Sequence, residues 1–140
     1  MARIQAKLKN YRDTHEVSLH TNDQTFSIQI PSKAGGYGSQ ASGGELLFLA
    51  LATCYCNDIY REAAKRGIPV ERVEVEVSGD FEREGGPASN VSYRALVKAD
   101  ASREVILELM RQTDTVAEIQ NTLRTLTPVT LSECEVIEGE

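Results

Sequence analysis

The chain has 140 residues, 41% of them hydrophobic and 26% charged, with a net charge of -6 at pH 7. That length fits one domain with a real core, and the balance is that of an ordinary soluble globular protein. The acidic balance speaks against a nucleic-acid partner, which needs a basic patch, and no Lys/Arg block stands ready for an anionic membrane surface.

The first residues alternate polar and apolar and contain no apolar run of the kind a signal peptide needs. Three cysteines form an odd number without framework spacing. Both features lead us to expect a cytoplasmic chain with free thiols. Residues 3 to 9 put Ile4, Ala6 and Leu8 on one face and predict a strand. Residues 16 to 20 and 25 to 30 alternate again, through Val17 and Leu19 and then Phe26, Ile28 and Ile30. Thr21-Asn22-Asp23-Gln24 between them has turn chemistry. An antiparallel meander over 1-31 follows, with Tyr11-Arg12-Asp13 at its first turn.

Pro31 ends the meander, and Gly35, Gly36, Gly38, Gly43 and Gly44 follow. A phosphate-binding loop would need a lysine and a hydroxyl at its end, and both are absent. The glycines predict instead a tight connection that lets backbone come close to something.

A helix is expected over 42-67. Ser42 as N-cap and Glu45 three residues on form a capping box. Gly67 is a good residue just past the end, Lys65 and Arg66 suit the last turn, and Pro69 confirms the stop. Leu46, Leu47, Phe48, Leu49, Ala50, Leu51, Ala52 and Cys54 make the first two-thirds apolar on every side. That pattern predicts a central helix buried all round. The run is short of the roughly 20 residues that span a bilayer. This helix carries Cys54 and Cys56.

Val70 to Phe81 alternates Val73, Val75 and Val77 against Glu74 and Glu76. After the turn Glu84-Gly85-Gly86-Pro87, Val91 to Ala99 alternates back, so a hairpin is expected. Ser102 caps a helix with Val105, Ile106, Leu109 and Met110 on one face. Thr115 and Glu118 read as a second capping box, opening a short helix with Val116, Ile119 and Leu123 inward. Val129 to Ile137, holding Cys134, reads as a last strand. The order β-β-β, long helix, β-β, helix, helix, β defines an α+β class. We expect one domain over 1-140, with the β-β-α-α-β portion at 70-138.

Cys54 reads in two ways. Free cysteine is a common small hydrophobe of packed helices. A reactive Cys54 needs its thiolate, hence a nearby cation or donor. Asp58, one turn on, opposes ionisation; Arg61, two turns on, helps; a further cation has to come from elsewhere in the fold. Cys54 and Cys56 with His15 and His20 make a poor zinc set, because Cys-x-Cys on a helix points two ways. No metal or cofactor is expected. Two histidines in the meander and no nucleophile elbow give a hydrolase no support.

The string Gly44-Glu45-Leu46-Leu47, then Ala50-Leu51-Ala52-Thr53-Cys54, preceded by Gly35-Gly36-Tyr37-Gly38, resembles the core signature of the OsmC/Ohr family. The order of elements resembles that family across essentially the whole chain. The resemblance implies an OsmC-like fold, with antiparallel sheets around a long buried central helix, in an intertwined homodimer. It also implies thiol-dependent reduction of small organic hydroperoxides in oxidative-stress defence, with an external thiol as reductant. In that reading Cys54 attacks the peroxide and becomes a sulfenic acid. Glu45 and an arginine form the ion pair that holds the thiolate. Arg12 is the matching arginine, with Arg3 and Arg83 as alternatives.

Glu45 and Cys54 are nine residues apart, about two and a half turns and ~13 Å along a helix axis. They cannot meet within one helix, so a shared site requires Glu45 of a second copy. The sequence departs from the family at Ala117, where the second cysteine is expected. Three outcomes stay open: Cys54 works alone with an outside thiol, Cys56 or Cys134 resolves it, or the chain is a non-catalytic relative that binds a small hydrophobic ligand at the dimer interface.

Overall fold

Alternation of apolar and polar side chains builds the first part of the chain into strands. In the computed structural model, which describes residues 2-139, these are β1 (Ile4–Tyr11), β2 (Thr14–Thr21) and β3 (Gln24–Ile28). They form an antiparallel sheet in the order β1-β2-β3. Leu8 faces Val17, Val17 faces Ile28, and Leu19 faces both Ala6 and Phe26. One side of the sheet is therefore the apolar one. Asp13 and Asn22 turn the chain at φ 61° and 52°, the left-handed region that Asp and Asn tolerate. The third strand ends at Ile28, two residues short of expectation.

The glycine loop does what its composition predicts. Gly36 accepts from the Asp13 amide at 2.8 Å, and a Cβ on Gly36 would stand 2.6 Å from the Asp13 carboxylate. Asn10 Oδ1 accepts from the Gly38 amide at 3.1 Å. The loop is pinned to the β1-β2 turn by backbone that only glycine brings this close.

Helix α1 spans Gly43–Lys65. Its start is the expected capping box: the Ser42 amide donates to Glu45 Oε1 at 2.8 Å and the Glu45 amide to Ser42 Oγ at 3.1 Å. Its end is a Schellman motif. Gly67 has φ 66°, its amide donates to Ala64 O, and the Ile68 amide to Ala63 O, which satisfies two terminal carbonyls.

The expectation of a helix buried all round needs correction. Leu51, Tyr55, Asp58, Ile59, Glu62 and Ala63 are its buried residues, whereas Leu49 is 59% exposed. Those six positions recur at helical spacing and define one stripe. Apolar composition sets what a helix wants covered; it does not say that one chain covers it.

The chain clusters into two compact units, residues 1-48 and 49-140. In the second, β4 (Val70–Asp80) and β5 (Ser89–Ala99) pair antiparallel as the predicted hairpin, followed by α2 (Arg103–Thr115) and α3 (Glu118–Arg124). Ser102 caps α2, its Oγ accepting from the Val105 amide at 3.3 Å. The core is Tyr55, Ile59 and Ala63 of α1 with Leu109 of α2, and the inward Val73, Val75, Tyr93, Ala95 and Val97 of the hairpin pack against it.

Two further expectations fail here. Thr115 is no N-cap: its hydroxyl donates to Gln112 O at 2.7 Å, closing α2, and α3 opens after Ala117, which has no side-chain cap bond. The inward residues of this short segment are accordingly Ala117 and Gln120, and Leu123 is exposed. Thr answers the backbone on either side of it, so the same residue fits the end of one helix or the start of the next. The last strand at Val129 to Ile137 is absent: residues 126-139 have no regular structure. Val129 and Ile137 are 97% and 99% exposed. A strand exists only when a neighbouring edge takes its backbone groups, and none does so among the described residues.

Candidate active site around Cys54

The burial stripe of α1 puts Cys54 at the margin of the core, half-buried. One helical turn on, Asp58 lies on the same face. The Cys54 thiol donates to Asp58 Oδ2 at 3.5 Å. The Asp58 side chain is 8% exposed, and its Oδ1 pairs with Arg61 Nη1 at 3.0 Å. The same Nη1 reaches Glu118 Oε2 on α3 at 3.2 Å, and Arg61 Nε reaches Glu62 Oε2 at 3.0 Å. Cys54, Asp58 and Glu118 bring a sulfur and two carboxylate oxygens within 4.8 Å of one another. These could hold a cation, yet Arg61 already sits on both carboxylates.

The electrostatics follow from that geometry. Burial pushes the Cys54 thiol up, the Asp58 and Glu118 charges add to it, and the Ile119 amide opposes them. Burial also raises Asp58, helped by Glu118 and countered by Arg61. Glu118 is held down, first by its own backbone amide and then by Asp58 and Arg61. Arg61 does not aid the sulfur, as its place two turns on had suggested; three carboxylates hold it instead. Within this unit Cys54 is a thiol beside a proton acceptor, not a thiolate beside a cation.

Glu45 makes the local capping contacts described above, and they lower its pKa. Arg12 is 79% exposed at the β1-β2 turn, with its Nε 3.8 Å from Asp13 Oδ2. Of the alternatives, Arg3 donates its backbone amide to Asn22 Oδ1 at 3.0 Å, and the Arg83 side chain lies along Gly86. Ala117 is fully buried, two residues before the amide that faces the Cys54 sulfur. Cys56 is half-buried, Cys134 is exposed, and all three cysteines are free. His15 and His20 are engaged by Asn10 and Thr25, at 2.9 and 2.8 Å.

Glu118 and the Ile119 amide escaped the sequence reading. Both come from α3, more than sixty positions away, and only the docking of α3 brings them to Cys54. Gln120 and Glu118 bond α3 to α1, and Arg124 bonds it to α2. Gln120 Nε2, fully enclosed, donates to Leu51 O at 3.0 Å. Arg124 Nη2 donates to Asp114 Oδ1 at 2.7 Å, and the Tyr93 hydroxyl donates to the same oxygen. Beside Tyr93, edge-on at 5.1 Å, Tyr55 donates to Met110 O at 2.8 Å, and burial pushes its phenol up to about 12. A hollow of about 730 Å³ lined by Lys7, Lys9, His15, Ile28 and Pro31 lies in the meander and includes no residue of the Cys54 cluster. Among the described residues no helix is long and apolar enough to cross a membrane.

A family model described as OsmC-like protein matches residues 36–132. Among solved structures, an OsmC-like protein from Mycoplasma pneumoniae shares the fold with a TM-score of 0.59 at 17% identity, over 91% of this chain and 89% of that one. An OsmC-like protein of unknown function from Vibrio cholerae gives 0.60 at 14%, over 87% and 94%. An OsmC-like hydroperoxide resistance protein from Jannaschia gives 0.52 at 14%, over 96% and 86%. A comparison with curated protein sequences finds no match. The structural likenesses, at such identities, establish the α+β fold with antiparallel sheets and a long helix. The family model covers well over half of the sequence, and the chain belongs to the OsmC-like protein family.

Proposed function

We propose that this protein reduces small organic hydroperoxides with Cys54 as the attacking thiol. The observation that carries the reading is the cluster itself: a half-exposed sulfur at mid-helix, with a proton acceptor at 3.5 Å and a backbone amide facing it. Family membership supports it, and so does the hydroperoxide resistance protein among the chains that share the fold. The sulfur forms a bond to the distal peroxide oxygen, the O–O bond breaks, and Cys54 becomes a sulfenic acid. An external thiol then displaces water to give a mixed disulfide, and a second one releases Cys54 with the small-molecule disulfide. With Ala117 at the second cysteine position, the outside thiol takes the part of the resolving cysteine in this reading.

The working form is a homodimer in which Glu45 and Arg12 of a second copy complete the site. Two features support it. Arg61 is held by carboxylates, so a cation for the sulfur has to be supplied from elsewhere. Ile4, Leu8 and Phe26 lie exposed on the apolar side of the meander, and an exposed apolar sheet face of that kind marks an interaction surface.

The test is mass spectrometry after one equivalent of cumene hydroperoxide, with dimedone to trap sulfenic acid. Trapping at Cys54 far ahead of Cys56 and Cys134 supports the enzyme. Slow and equal modification of all three contradicts it. That result favours the second reading, a non-catalytic hydrophobic-ligand binder, to which the sealed Ala117 and the upward-shifted thiol lend support.

A further inference from the structure

Thiol peroxidase chemistry has two proton problems. The thiol has to lose its proton to become a nucleophile, and the departing alkoxide has to gain one. In this chain the acceptor nearest the sulfur is Asp58, whose Oδ2 receives the thiol hydrogen at 3.5 Å. We propose that Asp58 is the proton shuttle of the peroxide reaction, taking the Cys54 proton and returning it to the alcohol that leaves. This deepens the function proposed above and rests on it.

The step balances. Sγ attacks the distal oxygen of the hydroperoxide; the S–O bond forms and the O–O bond breaks. Sulfur is oxidised by two electrons and the peroxide is reduced by two. The thiol proton passes to Asp58 Oδ2 and from there to the alkoxide oxygen. Thiol plus hydroperoxide become sulfenic acid plus alcohol, and Asp58 returns to its starting state.

Three features of the surroundings suit the role. The Asp58 side chain is 8% exposed, so bulk water does not compete for the proton. Arg61 holds the other oxygen, Oδ1, at 3.0 Å, which leaves Oδ2 aimed at the sulfur. Glu118 stands across the pair on α3, bonded to the same guanidinium nitrogen at 3.2 Å. The ionisable groups around Asp58 are therefore Cys54 and Arg61 of α1 and Glu118 of α3. Burial and Glu118 make Asp58 a stronger base than a free carboxylate.

The proposal separates from a purely electrostatic role by the sign of two rates. Asp58→Asn removes a negative charge beside the sulfur, so more thiolate forms. Alkylation by iodoacetamide, whose iodide leaves without a proton, should speed up about 3- to 10-fold, a tenfold change being one pKa unit. Peroxide reduction should slow by about 100-fold, the low end of what general acid-base catalysis supplies. If both rates rise together, Asp58 only repels the thiolate and the shuttle is overturned. If wild-type Cys54 is itself slow with peroxide, the peroxidase reading falls and the shuttle with it; a fast wild type with an equally fast variant overturns the shuttle alone. Glu118→Gln, at an exposed position, provides a second test that does not disturb the core. Glu118 raises both Asp58 and the Cys54 thiol, so its loss should move the acid limb of the peroxide rate profile to lower pH, and that limb should lie below the alkylation limb, which follows the thiol alone. An acid limb that stays in place, or that coincides with the alkylation limb, contradicts the proposal.

Discussion

Leu8 and Leu109 have the same side chain and opposite circumstances. Leu109, on α2, is 0% exposed among Tyr55, Ile59 and Ala63; Leu8, on β1, is 58% exposed on the apolar face of the meander. The helix-and-hairpin unit builds a closed core around Leu109, although Leu49, Leu96 and the apolar residues after α3 stay exposed. The meander presents its apolar residues outward. The difference teaches that the second unit holds its fold through side-chain burial, whereas the first relies on backbone ladders and the glycine-loop clamp on Asp13. It also separates the chemistry: the Cys54 cluster is built wholly from α1 and α3 of the second unit.

The comparison can be broken most sharply at Leu109. Leu109→Ala should cost about 2-5 kcal/mol, the range for a fully buried leucine, measured by urea denaturation. A loss below about 1 kcal/mol would mean that the core is not where burial places it. Next comes the Tyr93 hydroxyl. Tyr93→Phe should cost about 1.5 kcal/mol, the low end for a hydrogen bond to a charged group. Burial pushes Asp114 up, but Tyr93 and Arg124 outweigh it and hold its carboxyl below the ordinary range. A depressed carboxyl contributes stability above its unfolded pKa and loses it as pH falls through the folded value. The gap between wild type and Tyr93→Phe should therefore be full at neutral pH and shrink in acid below the ordinary carboxylate range. A gap that widens in acid would contradict this sign. The smallest effect belongs to Leu8. Leu8→Ala should change stability by less than about 0.5 kcal/mol in dilute, monomeric solution. Under the proposed dimer the loss should grow with protein concentration, which equilibrium unfolding at two concentrations checks.

Where the sequence reading succeeded, the cause was local. Strand alternation, Asn and Asp in turns, the Ser42-Glu45 box and Gly67 depend on residues within four or five positions of one another. Asp58 was visible beside Cys54 for the same reason. The failures were of another kind. Thr115 offered a hydroxyl to either neighbouring helix, and the choice depended on where Ala117 packed. Val129 to Ile137 has the alternation of a strand but finds no edge among the described residues. Leu46 to Leu49 reads as buried because composition records appetite for burial and not its supply. Glu118 reached Cys54 only through the docking of α3, held by Gln120 on Leu51 O, a contact without a signature in the sequence. Arg61 was rightly noticed and wrongly assigned, since its geometry serves carboxylates.

The most direct test of the central claim follows consumption of cumene hydroperoxide by a dithiol, with wild-type protein and with Cys54→Ser. The account predicts turnover by the wild type and none above background in the variant, with Cys56→Ser and Cys134→Ser retaining activity. Wild-type consumption no faster than the dithiol alone, or a Cys54→Ser variant as active as wild type, would contradict it.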